Sequence, residues 1–96
     1  MDIDITTEGD IGRVALAGSL NTNTAGELES ALDSVLDQVK SLVFDFTDLD
    51  YVSSAGLRVL MMAFKRLGGG VAVEHASDEI REVFDITGFS TLFDIR

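Results

Sequence analysis

A chain of 96 residues and 10.3 kDa has room for one hydrophobic core, so residues 1–96 are expected to form a single domain burying roughly 64% of the surface an extended chain would expose. The lack of cysteine and the single histidine, His75, exclude disulfides, a thiolate nucleophile and a zinc site, and a formal charge of −10 opposes direct contact with nucleic acid or an anionic membrane. The opening MDIDITTEGD lacks the basic and apolar regions of a secretory leader, and no apolar run nears the roughly 20 residues that cross a bilayer, so a cytoplasmic location without membrane insertion is expected.

Residues 2–7 alternate polar and apolar, with Ile3 and Ile5 on one side, the pattern of an edge strand. After the turn Glu8-Gly9-Asp10, residues 11–17 place Val14 and Leu16 on one face and predict a hairpin partner that Gly18 ends. Thr24-Ala25-Gly26-Glu27 matches a capping box. The helix it starts carries Leu28, Leu32, Val35, Leu36 and Val39 inward, with Glu29, Asp33 and Asp37 on the outer face. Leu42 to Phe46 reads as a central strand that breaks at Thr47-Asp48.

A second helix runs from Ser53 or Ser54 to about Leu67, with Leu57, Leu60, Met61, Phe64 and Leu67 as its core stripe, and stops at Gly68-Gly69-Gly70. Residues 71–75 form another strand. Ser77-Asp78-Glu79 caps a third helix with Ile80, Val83 and Phe84 inward, and residues 89–95 close the chain as a last short strand. Strands alternating with helices in this way give an α/β layer.

The chemistry concentrates in residues 45–60, where a strand passes through a polar turn into a helix N-terminus. Orphan N–H groups and the macrodipole there favour a hydroxyl cap or a phosphate. A plain cap accounts for one of Ser53 and Ser54, not both. An enzymatic reading fails on the residues: Val52 stands where the nucleophile elbow needs its first glycine, and His75 ends a strand with nothing to bring it to Ser54. The triple glycine lacks the spacing and lysine of a phosphate loop. No motif calls for a cofactor or a metal. Arg58 follows Ser54 by one helical turn, whereas Lys65 and Arg66 complement the C-terminal end of the helix dipole.

The stretch Leu49-Asp50-Tyr51-Val52-Ser53-Ser54-Ala55-Gly56-Leu57-Arg58-Val59-Leu60 resembles the signature of the STAS domains of bacterial anti-sigma factor antagonists. Leu16 to Ala25 resembles their G-x-L-D-x-x-T-A segment. The resemblance covers essentially the whole chain and implies a mixed β-sheet of four to five strands backed by three or more α-helices. It also implies a partner-switching regulator, not an enzyme, that binds an anti-sigma factor serine kinase when unphosphorylated and so frees a sigma factor. ATP is then bound by the kinase, and a phosphoserine phosphatase resets the switch. Aligning on Gly56-Leu57 puts the acceptor at Ser54. The chain departs from the family at Ser53 and Asn21, where Asp is frequent, and Ser53 becomes a rival acceptor.

The implied partner surface comprises Asn21, Thr22, Asn23, Ser53, Ser54, Ala55, Gly56 and Arg58, with Val59 and Met62 as exposed apolar contacts. The alternative is a STAS subunit without phosphorylation, serving as a scaffold, for example in a transport complex.

Overall fold

The computed structural model describes residues 1–96. Five strands form one sheet in sequence order: β1 (Asp2–Glu8), β2 (Ile11–Leu20), β3 (Ser41–Val52), β4 (Val71–Glu74) and β5 (Asp94–Ile95). The first pair is an antiparallel hairpin and every later pair is parallel, so each later connection is a crossover. These crossovers carry α1 (Ala25–Asp33), α2 (Ser54–Leu67) and α3 (Asp78–Thr87). All three advance in the same direction across the sheet, and right-handed crossovers therefore place the helices on one face. Burial follows that rule: Val14, Leu16, Leu42, Phe44, Phe46 and Val73 lie in the core beneath the helices, while the alternate residues Arg13, Asp45 and Glu74 lie on the open face.

The core is a single cluster of 23 apolar residues. Its aromatic centre links the sheet to α3, with the Phe46 and Phe84 rings 6.2 Å apart, and to the chain end, with Phe84 and Phe93 6.3 Å apart. On the open face, Arg13 of β2 reaches Glu74 of β4 at 2.9 Å and Asp45 of β3 at 3.9 Å, and Arg96 reaches Glu74 at 3.4 Å.

Several expected boundaries move. β3 does not break at Thr47-Asp48. Its register against β2 shifts between Ala15 and Ala17 and again between Gly18 and Ser19, so β3 accommodates extra residues and continues to Val52. The Asp45 carboxylate accepts from the Thr47 N–H at 3.0 Å and from its hydroxyl at 2.6 Å. The polar pair thus stabilises a bulge, which a sequence reader sees as a strand end. Gly18, at φ 104, bends β2 without ending it.

Helix α1 stops at Asp33, and the chain turns through residues 34–38. Ser34 donates its hydroxyl to the Ala31 carbonyl, and Val35, Leu36 and Val39 remain buried outside regular helix. No capping box forms. Instead the Thr24 hydroxyl donates to the Ser19 carbonyl and accepts from the Asn21 N–H, each at 2.8 Å, which ties the loop back to β2. The last segment divides into a 3₁₀ turn, Phe89–Thr91, and the two-residue β5.

Candidate functional site

The two motif segments meet at the ends of β2 and β3. Leu20 pairs with Val52, and the Ser53 N–H donates to the Leu20 carbonyl at 2.8 Å, which sets the Asn21 loop beside the start of α2. Asn21 organises its own loop, its side-chain oxygen accepting from the N–H groups of Asn23 and Thr24. Thr22 and Asn23 are exposed.

Ser53 and Ser54 take different roles. Ser53 is the cap of α2: its backbone is extended and its hydroxyl oxygen accepts from the Gly56 N–H at 3.2 Å. Ser54 is the first helical residue, is exposed, and its hydroxyl has no partner within the chain. The free hydroxyl therefore sits where backbone N–H groups and the positive end of the dipole favour an anion. α2 holds no acid in its first turn.

Gly56 is buried, and a β-carbon added there would lie 2.5 Å from Leu20 Cγ and 3.2 Å from the Leu20 carbonyl oxygen. Its role is close docking of α2 on the end of β2, so it is not a surface for a partner. That approach also rotates the helix. Val59, expected as an exposed contact, is only 7% exposed and belongs to the core. The buried stripe is Gly56, Leu57, Val59, Leu60 and Ala63, and Met61, Phe64 and Leu67, expected inside, are half-buried. Met62 packs against the core edge, whereas Met61 does not. Ala55 is half-buried and Arg58 is exposed.

Along the outer side of α2 runs a shallow groove of about 590 Å³, lined by Ser54, Leu57, Arg58, Met61, Met62, Lys65, Arg66 and Phe89. Its rim is basic in an otherwise acidic molecule. Ser54, Arg58 and Met62 are expected on this surface from sequence, whereas Met61, expected inside, also lines the groove. Phe89 is brought in by the α3 connection, and no local signal marks it. Arg66 spans to α1, pairing with Asp33 at 2.8 Å and Asp37 at 3.1 Å. A further surface residue beside the site, Tyr51, is 54% exposed opposite Ser19; its neighbours Val52 and Leu49 point inward. No group of His, Asp and Glu side chains is placed to hold a metal ion, and no helix is long and apolar enough to cross a membrane.

The sequence pattern of the STAS domain matches residues 2–96. The chain belongs to the STAS family. Among its relatives, BtrV of Bordetella bronchiseptica is 37% identical over 84 residues, covering 83% of this chain and 72% of that protein. The anti-sigma-B factor antagonist of Bacillus subtilis is 31% identical over 99 residues, covering 99% and 90% of the two chains. Among solved structures, the phosphorylated form of the Bacillus cell-fate determinant SpoIIAA superposes with a TM-score of 0.77 at 16% identity, over 99% of this chain and 91% of that one. That likeness is one of fold, and it matches the five-stranded mixed sheet and three helices of this STAS domain.

Proposed function

We propose that this STAS domain is an anti-sigma factor antagonist that works by partner switching. Unphosphorylated, it binds an anti-sigma factor serine kinase through the α2 N-terminus, the Asn21 loop and the adjoining groove, and the sigma factor is released. The kinase brings the ATP. Ser54 Oγ bonds to the γ-phosphorus, the bond from that phosphorus to the β–γ bridging oxygen breaks, ADP leaves, and the hydroxyl proton passes to the kinase. The phosphate adds about −1.5 to −2 charge at the interface, which weakens binding, and a phosphoserine phosphatase restores the first state. In this reading the protein is a substrate and a ligand; it performs no catalysis of its own.

The observation that carries the proposal is the division of labour between the serines. Ser53 is committed to the cap, while Ser54 presents a free hydroxyl at a position suited to a phosphate. The kinship with the Bacillus subtilis anti-sigma-B factor antagonist supports the class of partner, and the existence of a solved phosphorylated form of SpoIIAA, a protein of the same fold, supports a phosphorylated state. The test is labelling by the cognate kinase and ATP followed by peptide mapping. One phosphate on Ser54, absent from Ser54→Ala, is expected, and Ser54→Asp should bind the kinase at least roughly tenfold more weakly than the unsubstituted chain. Label on Ser53 alone, or no label with unchanged binding by Ser54→Asp, overturns it and favours a scaffold subunit.

A further inference from the structure

Seven basic side chains face seventeen acids in this protein, and most of the bases are already engaged. Arg13, Lys40, Arg66 and Arg96 each sit in an ion pair, which leaves Arg58, Lys65 and Arg81. Of these three only Arg58 is one helical turn from Ser54. Both side chains border the same groove, both are exposed, and neither has a hydrogen-bond partner. The 14 residues of α2 include no acid, so nothing on the helix competes for the guanidinium.

We propose that Arg58 is the internal counterion of a phosphate on Ser54, closing across one turn of α2 to hold it. The proposal rests on the phosphoacceptor reading above and adds how the modified state is held. Residues four apart on a helix have β-carbons about 5–6 Å from each other, and an arginine side chain reaches across that gap to present a planar fork that matches two phosphate oxygens. The order of the charges, anion at the helix start and cation one turn on, also agrees with the dipole.

The consequence concerns the surface as much as the phosphate. In the unmodified chain Arg58 is available to a carboxylate of the partner. Once it is folded onto the phosphate that cation is withdrawn, so modification changes the groove by subtraction as well as by added negative charge. Lys65 and Arg66, further along the helix, are left as they were.

The test needs no kinase. The full chain is synthesised with phosphoserine at position 54, and the phosphate is titrated by ³¹P NMR in the otherwise unsubstituted chain, in Arg58→Ala and in Arg58→Lys. A nearby cation favours the dianion, so the midpoint should rise by about 0.5 pH unit in Arg58→Ala. Arg58→Lys should recover part of the shift, and about 1 M salt should erase most of the difference. Equal midpoints in Arg58→Ala and the unsubstituted phosphochain, or a difference that salt leaves untouched, overturn the proposal. Failure of Ser54 as a kinase substrate shows instead in the labelling experiment, so the two ideas fail separately.

Discussion

Helices α2 and α3 start in the same way: Ser53 accepts from the Gly56 N–H and Ser77 from the Ile80 N–H, each at 3.2 Å and each from an extended backbone. Both end on a left-handed glycine, Gly68 and Gly88. Their first turns differ in charge. α3 places Asp78 and Glu79 on the positive end of its own dipole, which stabilises the helix with carboxylates the chain already owns. α2 carries no acid there and has an exposed hydroxyl and a glycine instead. One end is electrostatically satisfied in the folded chain; the other has no carboxylate of its own. Two helices can be capped identically and still differ in whether their first turn is electrostatically complete.

The largest effect tests how deeply each helix is anchored. Phe84 on α3 is fully buried between the rings of Phe46, Phe89 and Phe93, and Phe84→Ala should cost about 3–5 kcal/mol, close to the whole stability of a small domain. Phe64 on α2 is half-buried and stacked on Phe93 at 5.3 Å. Its removal should cost less, about 1–3 kcal/mol, because part of the side chain is already in water. Urea denaturation reads both, and equal losses would mean that α2 is as deeply seated as α3.

Next in size is the third residue of each helix, Gly56 in α2 against Ile80 in α3. Gly56→Ala drives a methyl into Leu20 and should lose about 2 kcal/mol despite alanine's better helix propensity. Gly26→Ala in α1 meets nothing within 4 Å and should instead gain about 0.5–1 kcal/mol. The same substitution with opposite signs, read as two thermal midpoints, separates a packing glycine from an idle one. If both stabilise, α2 does not approach β2 as closely as described.

The caps come third. Ser53→Ala and Ser77→Ala should each cost about 1 kcal/mol, whereas Ser53→Asp should be nearly neutral, since aspartate caps as well as serine. On this account the replacement of the family's frequent Asp by Ser53 leaves the cap intact. Ser54→Ala should stay within about 0.5 kcal/mol, as for an exposed side chain without partners. A loss at Ser54 matching that at Ser53 would overturn the assignment of the cap to Ser53.

These contrasts also show what the sequence could and could not disclose. The Ser77 cap, the glycine stop after α2 and the hydrophobic period of α3 are local signals and are legible as such. The extent of β3 was not, because the Asp45–Thr47 hydrogen bonds that build its bulge look like a strand end when read along the chain. The inward face of α2 lies a fraction of a turn away from the stripe its largest apolar residues suggest. The period fixes that a stripe exists, but the contact of Gly56 with Leu20 decides which residues it contains, and that contact joins segments 36 positions apart. The serine motif could be found by resemblance, yet the assignment of the cap to Ser53 needed the backbone. Arg58 and the absence of acids on its helix are visible along the chain; its freedom from ion pairs with other elements is not.

The smallest effect lies on the open face of the sheet, away from both helix starts, where carboxylates are satisfied by fixed partners. The Arg13 guanidinium, with help from Arg96, holds Glu74 below the usual carboxylate range, and the hydrogen bond from the Thr47 hydroxyl does the same for Asp45. A carboxylate whose folded pKa is depressed binds its proton more readily in the unfolded chain. Its stabilisation is therefore fully present above the unfolded values, near 4, and is lost as the pH falls through the lower folded ones. Stability should be flat through neutral pH with respect to these two groups and should decline below about pH 4. Glu74→Gln should make that decline shallower while leaving the cap variants' losses at neutral pH unchanged, because the network shares no side chain with either helix start. Denaturant titrations at pH 7 and pH 3 check both halves of this expectation, and an acid decline as steep in Glu74→Gln as in the parent would show that the network across β2, β3, β4 and the C-terminal Arg96 is not what acid dismantles.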